Sequence, residues 1–329
     1  MPNPNDPPKG GARRVGVIVM VLFAAAAGAI LALRRPPHAS SGNPPPAPRP
    51  GELPRDPFAY VPASARTLVV ADLARLRSAP ATRGWFAEAG GAPSCQEAIA
   101  RRVRTVALVI PRLPPDDFAF VAAGDLSPAD LARCAPGAEP VTREGFTLTA
   151  VRSRRDGGAG GVVAWTPQGV VLVGAAAVVD AMLDRAIDVA RGHASQPALD
   201  PLRPLVAPEA AVWALHLADG NAPPNDPLAA VSAGALSVTV SDAIRADATL
   251  RCDDGAHARR LEEALGRMRS EAVRELTEPH FRAAVEGAAV SVEGADVRVR
   301  AALSAEVTAA VGEAVSGLAR RAAGALGAP

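Results

Sequence analysis

The sequence of 329 residues predicts an α+β fold in which antiparallel sheets are covered by helices on one face. Two observations predict the folded body. Alternating apolar segments come in pairs separated by short turns, and short turns imply antiparallel pairing. Between these pairs, apolar residues recur at helical spacing, which favours helices packed on a sheet. A third observation, an uncharged apolar run near the amino end, predicts that this body is attached to a membrane.

That run covers residues 15–33, VGVIVMVLFAAAAGAILAL, and contains no charged side chain. As a helix it would span ~28 Å, close to the ~30 Å hydrocarbon core of a bilayer. We therefore expect an uncleaved transmembrane helix. Two alternatives stay open. A cleaved secretory signal would use the basic start at Lys9, Arg13 and Arg14 but finds no good small-residue cleavage site, and a buried core helix is the other.

The segments that flank the run predict its orientation. Residues 1–14 are expected to form a short disordered stub, whereas a long domain follows the run, and long domains translocate largely regardless of flanking charge. We expect a single-pass protein of the inner membrane with its stub in the cytoplasm and its body in the periplasm. Secretion after signal cleavage is the alternative.

Residues 34–57, RRPPHASSGNPPPAPRPGELPRDP, are rich in proline and serine. Such a segment cannot bury a core. Proline favours extended polyproline II, at ~3.1 Å per residue, so this linker could reach ~70 Å. The sequence therefore predicts a Pro-rich linker between the membrane and the body.

The first half of the body, residues 58–192, predicts six strands and four helical segments. Strands are expected over 66–73, 105–110, 118–123, 146–150, 162–166 and 170–173. Helices are expected over 71–90, with a break at Pro80, over 94–102, from an N-cap at Ser127, and over 175–190. The last of these places six apolar side chains inward: Val178, Val179, Met182, Leu183, Ala186 and Ile187.

A proline-rich connector over 193–205 precedes the second half, residues 206–329. Strands are expected after 206–210 and over 236–240, 244–252, 290–292 and 297–301. Helices are expected over 226–231, over 256–276 up to a break at Pro279, and over 304–326. The helix over 256–276 carries an inward stripe: Leu261, Leu265, Met268, Ala272 and Leu276.

Both halves follow the order β-α-β-β-α-β-β-α, which predicts an internal duplication. Because helices should cover only one face, the other face of the second half is expected to expose Arg245, Asp247, Arg251, Arg298 and Arg300. Mixed charge favours a solvated surface, although a partner could dock on it.

The apolar run, the Pro-rich linker, the opening VPASARTLVVADLARLRSAP and the repeated hairpin-helix units resemble single-pass, membrane-anchored envelope proteins of high-GC bacteria, of the myxobacterial kind. The function of that class is unknown. The resemblance therefore implies a location and an architecture, and it implies neither an activity nor a site.

Three cysteines are present. Cys252 ends an alternating strand and should be a free, buried thiol. Cys95 and Cys134 are then candidates for a disulfide in an oxidising compartment, and two separate buried thiols are the alternative. A metal site is not expected, because the sequence has no CxxC motif and no Cys/His cluster.

Other motifs are weak. The run from Gly157 to Gly161 lacks the GK[ST] ending of a phosphate loop and precedes a strand, so a mobile loop is expected. The histidines, His38, His193, His216, His257 and His280, show no ligand spacing. Asp116-Asp117 and Asp253-Asp254 fall in turns, with Asp254 expected to cap a helix. Trp213 belongs in the core, with a ligand pocket between the two halves as the alternative to simple packing.

These observations predict no catalytic residue, no cofactor and no enzymatic activity. A net charge of +1 and 3% aromatic residues argue against nucleic-acid binding. We expect a tethered envelope protein with a binding or scaffolding role toward a protein or the cell wall. The alternative is a lipid or small-molecule binding module that uses a cleft between the two lobes.

Overall fold

A computed structural model describes residues 52–83, 85, 95–112, 117–135, 137–152, 161–218 and 228–309. Within these ranges the chain forms one twelve-stranded antiparallel sheet with helices packed on it, which confirms the α+β class. The predicted membrane helix at 15–33 lies outside the described residues. In the described part, no helix combines the length and the apolar character needed to cross a bilayer.

The strands are β1 (Thr67–Asp72), β2 (Val103–Ile110), β3 (Ala119–Gly124), β4 (Glu139–Arg143), β5 (Phe146–Arg152), β6 (Gly161–Trp165), β7 (Val171–Ala175), β8 (Val212–Leu217), β9 (Val231–Val240), β10 (Ile244–Cys252), β11 (Ala289–Glu293) and β12 (Asp296–Leu303). Their order across the sheet is β11-β12-β10-β9-β8-β1-β2-β3-β7-β6-β5-β4. The central pair is β1 and β8. Counted outward from this pair, the strand order is β1-β2-β3-β7-β6 on one side and β8-β9-β10-β12-β11 on the other, so the two sides have equivalent orders.

The helices are α1 (Leu73–Ser78), α2 (Pro80–Arg83), α3 (Cys95–Arg102), α4 (Pro128–Cys134), α5 (Ala176–Arg191), α6 (Gly255–Glu275) and α7 (Pro279–Glu286), with 3-10 turns at Pro57–Tyr60 and Asp200–Leu205. Two predicted N-caps are confirmed: Ser127 accepts a hydrogen bond from the Asp130 N–H and Asp254 accepts one from the His257 N–H. Both oxygens satisfy helix donors that have no partner within the helix.

The two halves meet at β1 and β8, which pair from Thr67 opposite His216 to Ala71 opposite Val212. This ladder makes the sheet continuous across the predicted lobe boundary, where a cleft was the alternative expectation. The connector also packs into the body, because Leu199 and Leu202 are only 2% and 4% exposed.

Helices cover both faces of the sheet, so the prediction of helices on one face was wrong. Along β1, Leu68 and Val70 point to one side, called face A, and Val69 and Ala71 to the other, face B. Helix α5 packs with the face A residues, whereas α1, α3 and α4 pack on face B. The reason is that central strands such as β1 are apolar on both sides, and both sides need burial.

Several boundaries differ from expectation. Residues 52–57 of the predicted linker belong to the folded body: Leu53 is buried, and the Tyr60 hydroxyl donates a hydrogen bond to the Pro54 carbonyl oxygen at 2.9 Å. The helix predicted over 226–231 is absent from its described part, because Leu228–Ala230 form a turn and Val231 begins β9. Pro279 does not simply end a helix but begins α7, at a position where its missing N–H costs nothing.

Candidate binding surface

The five charged side chains predicted to lie on an exposed face do come together, on face A of β10 and β12. Strand register places Asp247 directly opposite Arg300, and Arg251 directly opposite Asp296. Glu293 and Ser291 of β11 continue the same face. We call this face of β10, β11 and β12 the open face.

Alternation along the strands creates the open face. On β10, residues 244, 246, 248 and 250 are Ile, Ala, Ala and Leu, and they point to face B, where Leu250 joins the cluster under α6. The residues between them are Arg245, Asp247, Thr249 and Arg251. Because a strand sends successive side chains to opposite faces, one pattern both anchors α6 and exposes the charges.

Ion pairs cross the open face between strands. Arg300 Nε lies 3.1 Å from Asp247 Oδ1, Arg251 Nε 3.1 Å from Asp296 Oδ1, and Arg298 Nη2 2.8 Å from Glu293 Oε2. The Arg300 side chain is 63% exposed, so its pair is well solvated. The hydrogen bond that Arg251 donates to the Asp296 carboxylate, together with the negative charge of that carboxylate, raises the pKa of Arg251 above its ordinary value. These ion pairs therefore connect neighbouring strands across the open face.

Arg245 differs from the other arginines on the open face. It is exposed, and within the described ranges it has no carboxylate partner. Its neighbours across the ladders are Thr239 and Ala302, which carry no charge. The open face therefore has one guanidinium available to an outside acceptor.

In the first half of the chain, face A is covered. Helix α5 buries Val179, Met182 and Ala186 completely against it, and all six predicted inward residues are buried. Arg143 of β4 contacts Asp180 and Asp184 of α5 at 2.8 and 2.6 Å and ties the helix to the outermost strand. Within the described ranges, which end at residue 309, face A is thus left uncovered in the second half, and the predicted helix over 304–326 lies outside the described residues beyond residue 309.

An aromatic stack lies on face A at β8, with β9 between it and the open face. The Arg203 guanidinium carbon lies 3.8 Å from the centre of the Trp213 ring and 5.0 Å from that of Phe58, and the two rings stack at 5.6 Å. Burial lowers the pKa of Arg203, and Asp56 and Asp200 oppose that shift. Trp213 is 6% exposed, so it packs in the core, and sequence reasoning did not anticipate its arginine cover.

The structure joins Cys95 of α3 to Cys134 of α4 by a disulfide, with Cα atoms 5.5 Å apart. Arg102 and Asp130 form an ion pair between the same two helices. Cys252 is free and buried, as predicted, and burial together with nearby aspartates raises the pKa of its thiol. It is therefore poorly suited to act as a nucleophile.

The other candidate residues do not assemble into a site. Gly157 to Gly160, Asp116 and His38 lie outside the described residues, and Gly161 begins β6. His216 Nδ1 is hydrogen-bonded to Thr67 Oγ1 at 2.8 Å, and His257 lies against Asp254. Across the described ranges, no three His, Cys, Asp or Glu side chains are grouped to hold a metal ion.

Comparison with known proteins places this chain near no family. No family model matches it, and no curated protein matches it. Among solved structures, crystal form I of TP0453, a membrane-associated protein of Treponema, is similar over 79% of this chain and 97% of that one. The sequence identity is 15% and the TM-score 0.44, which is too distant to assign a shared fold or function.

Proposed function

We propose that this protein is a membrane-tethered envelope protein with a non-enzymatic binding or scaffolding role, and that the open face is its docking surface. The observation that carries this proposal is the contrast between the two halves of face A. Helix α5 covers the first half, whereas in the described part of the second half no helix lies on face A, and cross-strand ion pairs and Arg245 are exposed.

The shape and charge of the open face suggest the kind of partner. It is an exposed, charged sheet face, whereas small-molecule sites are concave and mostly apolar. Its arginines outnumber its carboxylates by the unpaired Arg245. Guanidinium groups recognise carboxylates well, so the partner is a protein or cell-wall polymer that carries them. No nucleic-acid partner or cofactor is part of the proposal.

Location outside the cytoplasm is supported by the Cys95–Cys134 disulfide, because such bonds persist in oxidising compartments. The tether itself rests on the apolar run at residues 15–33 and the Pro-rich linker. Together these favour an inner-membrane protein with its amino end in the cytoplasm and its body in the periplasm.

An internal duplication would account for the architecture. The strand orders β1-β2-β3-β7-β6 and β8-β9-β10-β12-β11 are equivalent about the central pair, and this equivalence supports two copies of one α+β unit. Helices also follow equivalent strands, α4 after β3 and α6 after β10. The lipid or small-molecule alternative has less support, since it needs a cleft where β1 and β8 pair.

A cysteine at the edge of the open face tests both location and docking. Ala302 is exposed beside Arg245 and forms no ion pair. In spheroplasts, full-length Ala302→Cys should react with a membrane-impermeant maleimide that carries a photocrosslinker, and illumination should give one adduct of defined mass. Adding Arg245→Ala should reduce that adduct at least several-fold, because it removes the unpaired guanidinium.

The matched control is Glu263→Cys, which is exposed on α6 away from the open face. It should be labelled equally but give no such adduct. Failure of both cysteines to react in intact spheroplasts, with reaction after lysis, would overturn the periplasmic location. The same adduct from both positions, or none from Ala302→Cys, would overturn docking at the open face.

A further inference from the structure

The two edge strands of the sheet differ in their capacity to accept another strand. At β4, the two-residue turn Glu144-Gly145 has positive φ at both positions, 50° and 88°, and pairs Arg143 with Phe146. In an antiparallel ladder the backbone groups of alternate residues point outward. Arg143, next to the turn, bonds toward β5, so by alternation the backbone of Pro140 points away from the sheet. Proline has no N–H to donate at that position. The β4 edge is therefore blocked near its middle.

The edge at β11 carries no such block. The Cys252 N–H donates to the Ala295 carbonyl oxygen at 2.9 Å, so residue 295 bonds toward β10. By alternation, residues 296, 298 and 300 bond toward β11, through Glu293, Ser291 and Ala289. The backbone N–H and C=O groups of Val290 and Val292 then point away from the sheet, and no described strand pairs with them.

In the first half of the sheet, the edge equivalent to that of β11 is paired with a further strand. In the outward strand order, β6 holds the position that β11 holds in the second half. The outer edge of β6 pairs with β5, from Thr149 opposite Trp165 to Arg152 opposite Val162. In the described part of the second half, no strand corresponds to β5.

We infer that β11 pairs antiparallel with β11 of a second copy of this chain, about a two-fold axis at Ser291. In that register Val290 of each copy lies opposite Val292 of the other, so both outward residues of both copies form hydrogen bonds. A two-fold axis at Val290 would require the backbone of Ala288 to bond the second copy. That backbone is already used, because the Ala288 N–H donates to Val285 and the Ala288 carbonyl oxygen accepts from Arg269. Moving the axis to Val292 would require Gly294, which lies in the turn.

Side chains in this register are compatible on both faces. On the open face, Ala289 of one copy lies opposite Glu293 of the other, so no two side chains of the same charge face each other across the new ladder. Glu293 also keeps its ion pair with Arg298. On face B, Val290 and Val292 of both copies extend the apolar cluster that α6 covers. The two open faces become continuous on one side of a joined sheet. The dimer does not require the open face to bind a partner.

Disulfide trapping tests the register in the full-length protein in native membranes. Ser291→Cys would bring two thiols together at a non-hydrogen-bonded pair, with Cα atoms ~4.5 Å apart, which is within the disulfide range of ~4.4–6.8 Å. Oxidation by copper phenanthroline should then give a reducible dimer. Ala289→Cys is the matched control, on the same strand and face but ~13 Å from its own counterpart. It should give at least tenfold less dimer.

A second variant tests the hydrogen bonds. Val292→Pro, added to Ser291→Cys, removes an outward N–H and should abolish the dimer. Thr142→Pro, which alters the outward side of β4 instead, should leave the dimer unchanged. Equal dimer from Ser291→Cys and Ala289→Cys, or a dimer that survives Val292→Pro, would overturn the inference. A crosslink from Ser291→Cys to a different protein would assign the edge to a foreign strand and overturn self-pairing.

Discussion

Arg77 is a charged residue that the fold uses in its interior. It is 4% exposed, and its Nη1 and Nη2 donate to the carbonyl oxygens of Val103 and Ala100 at 2.7 and 2.8 Å. Burial lowers its pKa to about 10, and Asp72 opposes that shift, so the guanidinium stays protonated at neutral pH. It joins α1 to the end of α3 and the start of β2. Nothing in the pattern LARLRS marks this arginine as buried, since arginine is usually exposed.

Replacing Arg77 should therefore destabilise the body. Arg77→Met keeps the length of the stem but leaves two buried carbonyl oxygens without donors. Unsatisfied groups of this kind cost ~1–3 kcal/mol each, so we expect a loss of about 2–6 kcal/mol. Urea unfolding followed by circular dichroism measures it. The control, Arg83→Met, changes an exposed arginine and should shift stability by no more than ~0.5 kcal/mol. Equal effects would contradict the buried role.

Helices and strands with a strong apolar periodicity were predicted correctly from the sequence, whereas elements with a weak periodicity were not. Helix α5 buries all six of its predicted inward residues. The strand β4 was missed, because the first four residues of its sequence EPVTR are exposed and the sequence carries no alternation. The first half of β9, VSAGA, consists mostly of small residues and lacks the regular alternation that marks a strand. Tertiary pairing with β8 and β10 decided its conformation, and sequence patterns do not show such pairing.

Helix α6 was predicted correctly, but the prediction of which of its side chains are buried was only partly correct. Of its predicted stripe, Leu261 is fully buried at 1% exposure, whereas Leu265, Met268, Ala272 and Leu276 are half-buried. Periodicity identifies the face that packs but not how far the sheet extends beneath it. The sheet ends at β11, and α6 packs on α7 as well as on β10, β11 and β12.

Two leucines on α6 should therefore differ in their contribution to stability. Leu261→Ala is expected to cost about 2–5 kcal/mol, as fully buried leucines do, and Leu265→Ala roughly half as much or less. The two variants share the same chemistry and helix, so propensity effects cancel. Thermal and urea unfolding of both measure the difference. A larger loss for Leu265→Ala would contradict the burial seen in the structure.

Across the whole molecule, the pairing of β1 with β8 makes the two predicted lobes one sheet. Both strands were predicted individually, from buried apolar runs. Their pairing was not, because Thr67 and His216 are 149 residues apart and local patterns carry no information about so distant a partner. The open face, in contrast, was predicted residue by residue, since alternation within β10 and β12 is local. Two features could be recognised only from the order of the strands in the sheet. They are the lack of a carboxylate partner for Arg245 within the described ranges and the open backbone edge of β11.

A continuous sheet should unfold as one unit. Proteins that keep Trp165 alone report on the first half, and proteins that keep Trp213 alone report on the second, with the other tryptophans changed to Phe. We expect coincident fluorescence midpoints in urea. Leu215→Ala, in β8, should lower both midpoints equally, because Leu215 pairs with Leu68 across the central ladder. If only the Trp213 signal shifts, the halves are separate folding units.

The central pair also sets the order in which a growing chain can complete its fold. β1 is made early, yet its hydrogen-bonding partner on one side is β8, 149 residues later at the Thr67–His216 contact. At ~5–20 residues per second, that interval lasts about 7–30 s during synthesis. Throughout it, the nascent first half presents the bare apolar edge of what will become its innermost strand. Ribosomes spaced closely on one message would hold several such edges side by side, so nascent copies must be kept apart until the later strand arrives.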